Sequence, residues 1–380
     1  MRIGIEGQRL FRRKKHGMDM VALELIRNLQ KIDTENEYFI FVKPDEDPGC
    51  LAPTDNFRIV ELAGGAYPIW EQRALPRAAR QAGCQLLHCT SNTAPLNPGM
   101  PLVITLHDII YLESISLFKK GGTMYQKFGN MYRRFVVPRV VNKSSRIITV
   151  SHFEKRRIKD FFGFADEDER LVAIYNGVGE HFKPISDKHV LQSVKEKYRL
   201  PDRYVFFLGN TDPKKNTIGV LKAFSDYLKA GNPPLKLVML DFEHNALEAL
   251  LNEIGNPALR EQIHLTGYVV NTDLPAIYAQ SELFLYPSLR ESFGIPMLEA
   301  MRCGTPVITS NTSSMPEVSG GAAILVDPYK PEEITQAMVT LINDKDLRKQ
   351  YIEKGFTQSA RFSWYNMALE VHKLYMEVLQ

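Results

Sequence analysis

The stretch Pro287-Ser-Leu-Arg-Glu-Ser-Phe-Gly-Ile-Pro-Met-Leu-Glu-Ala-Met-Arg-Cys-Gly-Thr-Pro-Val-Ile-Thr-Ser310 reads as a strand end, a tight loop, a helix, a glycine stop and a second strand. Ahead of it, Ser281-Glu-Leu-Phe-Leu-Tyr286 is a short apolar run closed by Pro287, the pattern of a buried strand. Gly294 has no Cβ, so the backbone there lets a ligand come close. Pro296 suits the first turn of a helix, where its missing N–H costs nothing. Met297 to Cys303 favour helix, and Gly304 suits the position just past its end. Thr305-Pro-Val-Ile-Thr-Ser310 resumes as a strand, which makes the stretch a unit of an α/β protein.

This order has a chemical consequence. The amides of Phe293, Gly294 and Ile295 fall at a helix N-terminus, a seat for a phosphate or for sugar hydroxyls. Glu291 lies at the mouth of that seat and Glu299 about one turn inside the helix. Two such carboxylates can hold different hydroxyl-bearing parts of one ligand, and a carboxylate accepts two hydrogen bonds from a vicinal diol such as a ribose. The spacing equally fits a plain βαβ unit with solvated glutamates, because acidic residues near a helix N-terminus need no ligand.

Glu291 and Glu299, with Phe293-Gly-Ile-Pro296 between them and Glu-Ala-Met-Arg-Cys-Gly-Thr-Pro-Val after, resemble the paired-glutamate signature of retaining glycosyltransferases of the GT-B fold. The surroundings, Tyr286-Pro-Ser-Leu-Arg-Glu-Ser-Phe-Gly294 and Met315-Pro-Glu-Val318, are similar to family 4 (group 1), which includes bacterial mannosyl- and glucosyltransferases. The resemblance implies two Rossmann-like domains facing each other across a cleft, with a C-terminal helix crossing back to the first. It also implies that Glu291, Ser292, Phe293, Gly294, Ile295, Leu298 and Glu299 line a nucleotide-sugar site. It is dense over the second half of the chain and loose over the first, as expected if the first half meets an acceptor that differs with substrate.

Length and composition fit this frame. A chain of 380 residues is long for one core and suggests two domains. Apolar and charged fractions of 44% and 24% are those of an ordinary soluble globular protein. Cys50, Cys84, Cys89 and Cys303 form no C-x-x-C pair and read as buried thiols. Met1-Arg-Ile-Gly-Ile-Glu6 runs straight into a strand pattern, not a leader, and no apolar run approaches membrane-span length. The expected location is cytoplasmic, peripheral at the inner face of the plasma membrane if the acceptor is lipid-linked. A net charge of +3 gives no argument for nucleic acid.

In the first half, Arg2 to Glu6 is a strand, Gly7 to Gly17 a basic loop and Met18 to Leu29 an amphipathic helix, the opening of a Rossmann-like unit without its dinucleotide fingerprint. The resemblance implies that Gly17 approaches the donor diphosphate. Arg12 to Lys15 fit a solvated loop as well as a ligand role. Leu102-Val-Ile-Thr-Leu-His-Asp108 is an apolar strand ending in His107 and Asp108, where open α/β sheets place functional groups. A core histidine beside a surface aspartate would look the same. Relatives carry a histidine-aspartate here near donor and acceptor sugar, which assigns His107 and Asp108 to catalysis by resemblance. Residues 111 to 143 interleave aromatic and cationic side chains, which suits either a membrane interface with anionic lipid or ordinary amphipathic helices.

Glu180 to Pro201 is polar and reads as the interdomain link, giving domains over 1–183 and 184–362, with a last helix over 363–380 returned to the first. Tyr204-Val-Phe-Phe-Leu-Gly209 is a buried strand followed by Asn210-Thr-Asp-Pro-Lys-Lys-Asn216. Lysines in a strand-to-helix loop can neutralise a diphosphate, and the family pattern of glycine, polar loop and Lys-Asn points to Lys215, with Gly209 and Asn210 beside it. Many relatives carry an arginine where Asn210 stands, so that contact must be weaker or supplied elsewhere. Tyr268 and Val269 match the turn with which relatives read the nucleobase.

The expected activity is transfer, with retention, of a hexose of mannose or glucose type to a hydroxyl of a glycan or lipid-linked acceptor in bacterial polysaccharide or lipopolysaccharide synthesis. The donor is a nucleotide-diphosphate sugar, GDP-mannose or UDP-hexose, with no cofactor and no metal: no Asp-x-Asp pair stands in a suitable loop. His107, Asp108, Lys215 and Glu291 are the expected catalytic residues. The alternatives are a phosphorylase- or synthase-like use of the same fold and a catalytically silent sugar-nucleotide-binding partner subunit. No lysine-bearing pyridoxal site is identifiable for the phosphorylase version, and a silent subunit need not keep Glu291, Glu299, Lys215 and His107 together.

Overall fold

The structure, a computed structural model, describes residues 1–113 and 124–380. The chain divides into two compact units, Met1–Gly177 together with Trp364–Gln380, and Val178–Ser363. The division falls after Gly177, ahead of the boundary read from sequence, because Val178 and Phe182 are buried with the second unit.

The first unit carries β1 (Arg2–Glu6), β2 (Glu37–Val42), β3 (Phe57–Glu61), β4 (Leu86–Cys89), β5 (Leu102–Thr105), β6 (Arg146–Thr149) and β7 (Leu171–Ala173). Among the described residues these form one parallel sheet in the order β3-β2-β1-β4-β5-β6-β7. Its central strands are buried along their whole length, which is why they read as unbroken apolar runs. β5 ends at Thr105, so His107 and Asp108 lie in the loop after the strand, not within it.

The second unit carries β8 (Tyr204–Phe207), β9 (Lys236–Met239), β10 (Ile263–Leu265), β11 (Leu283–Tyr286), β12 (Val307–Ser310) and β13 (Ile324–Val326). They form a second parallel sheet, β10-β9-β8-β11-β12-β13. Its core joins Val205, Phe207, Leu237, Met239, Leu283 and Leu285 with the apolar faces of the helices Thr217–Lys229 and Pro331–Asn343. Residues 180–201 are not a bare link. They contain the helix Lys188–Tyr198, capped by Asp187, and Lys197 Nζ and Tyr198 Oη both donate to Asp273 at 2.7 and 2.8 Å. The helix forms because its buried Val194 and Tyr198 lie one turn apart.

The helix Trp364–Leu379 belongs to the first unit. Trp364, Met367, Ala368, Val371, Leu374 and Tyr375 recur at helical spacing, are buried, and bring the helix against the helix Gly17–Ile32. Two polar contacts fix the helix on the first unit, one to β4 and one beside the end of the helix Gly17–Ile32. Tyr375 Oη lies 2.6 Å from Nδ1 of His88, whose ring burial pushes down to about 3. His372 Nε2 lies 2.9 Å from Asp33 Oδ2. Asp33 also accepts from Tyr38 Oη at 2.6 Å, from Asn36 Nδ2 at 2.7 Å and from the amides of Glu35 and Asn36. Burial alone would raise its carboxyl, yet these donors hold it at about 2.

Replacing Asp33 by Ala should therefore cost about 1–3 kcal/mol at neutral pH, measured as a urea unfolding midpoint. A carboxyl held below its ordinary range stabilises fully above about pH 4 and loses that contribution as pH falls through about 2. The gap between variant and parent should narrow towards that limit. A gap that does not change with pH would assign the cost to packing instead.

Candidate functional site

In the second unit, topology brings two loops together. β8 and β11 are hydrogen-bonded neighbours that are far apart in sequence, so the sheet reverses its strand order between them. Ligands of open α/β sheets bind at such a point, outside the carboxyl ends of the strands. The loop after β8 carries Gly209, Asn210, Lys215 and Asn216; the loop after β11 carries Glu291 to Gly294.

Lys215 Nζ donates to Glu291 Oε1 at 2.6 Å and to Tyr286 Oη at 3.3 Å, and stands 5.2 Å from the Tyr286 ring centroid. Both charged side chains are mostly buried. Asn216 sets the lysine's position. It takes a left-handed conformation, φ 56°, and its Nδ2 donates to the carbonyls of Pro287 at 3.0 Å and Pro328 at 2.7 Å. One amide thus ties the loops after β8, β11 and β13. Asn210 is used locally: its Oδ1 accepts from the Asp212 amide at 2.8 Å and its carbonyl from Thr217 Oγ1 at 2.7 Å. At Gly209 an added Cβ would lie 2.1 Å from the Phe207 ring, so glycine is demanded there by packing.

The helix expected after Pro287 runs Ile295–Arg302, with Pro296 in its first turn. Gly294 precedes it at φ 99°, a conformation that favours glycine, with the Met315 methyl 2.4 Å from where a Cβ would stand. Ser314 Oγ donates to the carbonyls of Glu291 at 2.9 Å and Phe293 at 3.2 Å, and the Glu291 amide donates to Ser313 Oγ. The loop that carries Glu291 and Ser292 is thereby held from beneath. Phe293 and Leu298 are buried, so their side chains pack inward. Glu299 is one turn into the helix. Tyr278 Oη donates to its Oε2 at 3.1 Å, and burial pushes the carboxyl up to about 7. Gly267 turns the chain after β10 at φ 69°; Tyr268 beyond it is 61% exposed, while Val269 is buried.

In the first unit, His107 is buried. Its amide donates to Asn92 Oδ1 at 2.6 Å, and its Nε2 lies 3.0 Å from the Thr90 carbonyl. A carbonyl can only accept, so Nε2 carries the proton and Nδ1 is left as an acceptor. Burial lowers the ring's pKa, against the Thr90 bond and the charges of Asp108 and Asp19, and keeps it neutral. Asp108 Oδ1 accepts from the Ile110 amide at 3.2 Å, a local turn contact. Gly17 opens the helix Gly17–Ile32, and an added Cβ there would meet nothing within 4 Å. Of the basic loop, Lys15 is an internal ion-pair partner, with Nζ 2.6 Å from Asp47 Oδ2. Among the described residues, no three His, Cys, Asp or Glu side chains stand together as a metal site would require.

Sequence reasoning named Glu291, Glu299 and Lys215 but missed Tyr278, Tyr286, Asn216 and Ser314, which hold them. The tyrosines look like ordinary apolar-run residues, and only the hydroxyl at the end of such a run could have hinted at a partner. The aromatic-cationic stretch is partly visible: Leu117 to Lys120 lie outside the described residues. Farther on, the helix Met124–Lys143 buries Val136, Val137, Val140 and Val141, yet leaves Phe128, Met131 and Phe135 at 54%, 57% and 53% exposed. No helix among the described residues is long and apolar enough to cross a membrane.

Comparison with known proteins agrees with this geometry. A family model described as "Glycosyl transferases group 1" matches residues 192–358, and one described as "Glycosyltransferase Family 4" matches residues 16–181. The chain is 36% identical over 204 residues to the serotype-specific mannosyltransferase WbdA of Escherichia coli, across 53% of this chain and 25% of that one. It is 30% identical over 236 residues to the O-antigen chain mannosyltransferase B of Escherichia coli, across 62% of this chain and 61% of the relative. The matches thus span a quarter of the first relative and less than two thirds of the second. The fold is similar to that of sucrose-phosphate synthase from Thermosynechococcus elongatus, with a TM-score of 0.75 and 17% identity over 99% of this chain and 98% of that one. Two parallel-sheet units, each matched by its own family model, place the chain among the group 1, family 4 glycosyltransferases of the GT-B fold.

Proposed function

We propose that the chain is a retaining hexosyltransferase. It would move a sugar, mannose in first place and glucose in second, from a nucleotide-diphosphate donor such as GDP-mannose or UDP-glucose to a hydroxyl of a growing glycan. The observation that carries the reading is the Lys215–Glu291 pair, 2.6 Å apart, beside the N-terminus of a helix that bears Glu299. The names of the two Escherichia coli relatives support mannose and a role in O-antigen or related polysaccharide synthesis.

On this reading the second unit holds the donor and the first unit meets the acceptor. Glu299 accepts the ribose hydroxyls, while Tyr268 and Val269 lie along the nucleobase. The bond from the anomeric carbon to the diphosphate breaks as the acceptor oxygen bonds to that carbon on the same face. The acceptor's proton passes to the departing diphosphate oxygen. Lys215 and the amides opening the helix Ile295–Arg302 take up the charge that grows on that oxygen. In the free protein the lysine is already oriented by Glu291 and Tyr286, so little reorganisation accompanies the reaction. Glu291 has a second oxygen for donor-sugar hydroxyls. His107 offers a neutral imidazole whose Nδ1 accepts from a sugar or acceptor hydroxyl, and Asp108 shapes its loop. The cation that a metal would otherwise provide is the lysine's, so no metal is required.

Removing the Lys215 ammonium, as in Lys215→Ala, should cut turnover of the preferred nucleotide sugar by about 10²–10³, beyond the fall in melting temperature expected when Glu291 loses its partner. Turnover unchanged in a folded variant would remove Lys215 from the chemistry. Added EDTA should leave the parent's rate intact; loss of activity restored by magnesium or manganese would show that the lysine is not sufficient. Calorimetric titration with UDP, GDP and ADP identifies the base, and binding of none of them by folded protein would overturn the donor assignment.

The exposed residues Phe128, Met131 and Phe135, near Arg133, Arg134 and Arg139, support peripheral contact with an anionic bilayer. Flotation with vesicles containing phosphatidylglycerol should carry the parent protein and lose the Phe128→Ser/Phe135→Ser double variant. Equal flotation of both would exclude this face.

A further inference from the structure

Glu299 is the partly buried carboxylate on which the donor reading depends, and one side chain governs its state. Tyr278, on the helix Leu274–Gln280, donates to Glu299 Oε2 at 3.1 Å. No other hydrogen bond is made by the Glu299 carboxylate among the described residues, which leaves Oε1 unoccupied. Tyr278 is itself immobilised. Its ring packs edge-on against Phe206 at 5.0 Å and Phe284 at 5.2 Å, and against Phe182 at 6.1 Å. Its carbonyl accepts from Thr305 Oγ1 at 2.6 Å and Ser281 Oγ at 2.8 Å. The titratable groups that face Glu299 are this phenol, the buried Tyr286 phenol on β11 and the Cys303 thiol beyond the end of its own helix. No cation is among them.

We infer that Tyr278 is a positioning residue for donor binding: its phenol occupies Oε2 of Glu299, fixes the rotamer of the carboxylate and leaves Oε1 for a vicinal diol of the ligand. This rests on the assignment of Glu299 to the nucleotide. A diol donates, so it needs the charged, acceptor-only form of the carboxyl. Burial disfavours that form, and the Tyr278 bond opposes burial. Loss of the phenol hydroxyl should raise the pH at which Glu299 ionises and leave the carboxyl free to rotate.

The test is Tyr278→Phe, which keeps the ring and its aromatic neighbours. Binding of UDP and of GDP is measured by calorimetry from roughly pH 6 to 9, a range that brackets a raised carboxyl. For the nucleotide that binds, parent affinity should rise with pH through about 7, where Glu299 ionises. In Tyr278→Phe the same rise should come about one unit higher, with a loss of about fivefold at pH 7 that shrinks at alkaline pH. A loss equal at every pH, or no loss, would overturn the proposal. Carbon-detected NMR of the Glu299 carboxyl in ligand-free protein gives a second reading: its midpoint should move upward in Tyr278→Phe, and an unmoved midpoint would overturn the proposal without reference to any ligand. Failure of the donor reading looks different. In that case Glu299→Gln would bind UDP and GDP as the parent does, while the NMR midpoint would still move.

Discussion

The ion pair between Lys215 and Glu291 exists because β8 and β11 are hydrogen-bonded neighbours, in the register Val205 to Leu283 and Phe207 to Leu285. Parallel pairing sends the loops after both strands out of the same edge of the sheet. One loop supplies a cation, the other an anion and a helix start. Neither charge would be tolerated in so buried a position without the other. The pair in turn rests on groups beneath it, Tyr286 under the lysine and Ser314 under the loop of the glutamate. The buried strands determine where the loops emerge, and their order in the sheet sets the distance between the two charges.

Asn216 shows how much a single side chain can organise. Its amide reaches carbonyls from the loops after β11 and β13, and its own backbone adopts the left-handed form that allows the chain to turn from Lys215 into the next helix. Asparagine tolerates that conformation better than most residues, and its side chain is short enough to bond locally. Glycine would permit the turn but leave both carbonyls without this donor. Asn210, by contrast, bonds within its own loop.

Much of this architecture is legible in the chain. Buried parallel strands announce themselves as apolar runs, and glycine and proline punctuate the stretch from Pro287 to Ser310 because backbone conformation there is demanding. The two glutamates and Lys215 stand out because charge beside a helix start is a local signal. What holds them is not local. Tyr278 is 21 residues from Glu299, and Tyr286 is 71 from Lys215. Nothing in the neighbourhood of either tyrosine marks it as more than core. The end of β5 is hidden in the same way, since Leu106 continues the apolar pattern after the ladder has stopped. Likewise Phe182 looks like part of a polar link, and only its burial shows which unit it serves.

The second unit is one unbroken run of chain, whereas the first is completed only when residues 364–380 return to it. On a ribosome this order matters. The helix Gly17–Ile32 emerges early with Val21, Ala22, Leu25, Ile26 and Leu29 on its apolar side, but the helix that packs against it is made after the whole second unit. The second unit can fold as it is synthesised, while the first waits with apolar surface uncovered. The Tyr375–His88 and His372–Asp33 contacts of the first unit therefore wait for residues 364–380 to be made.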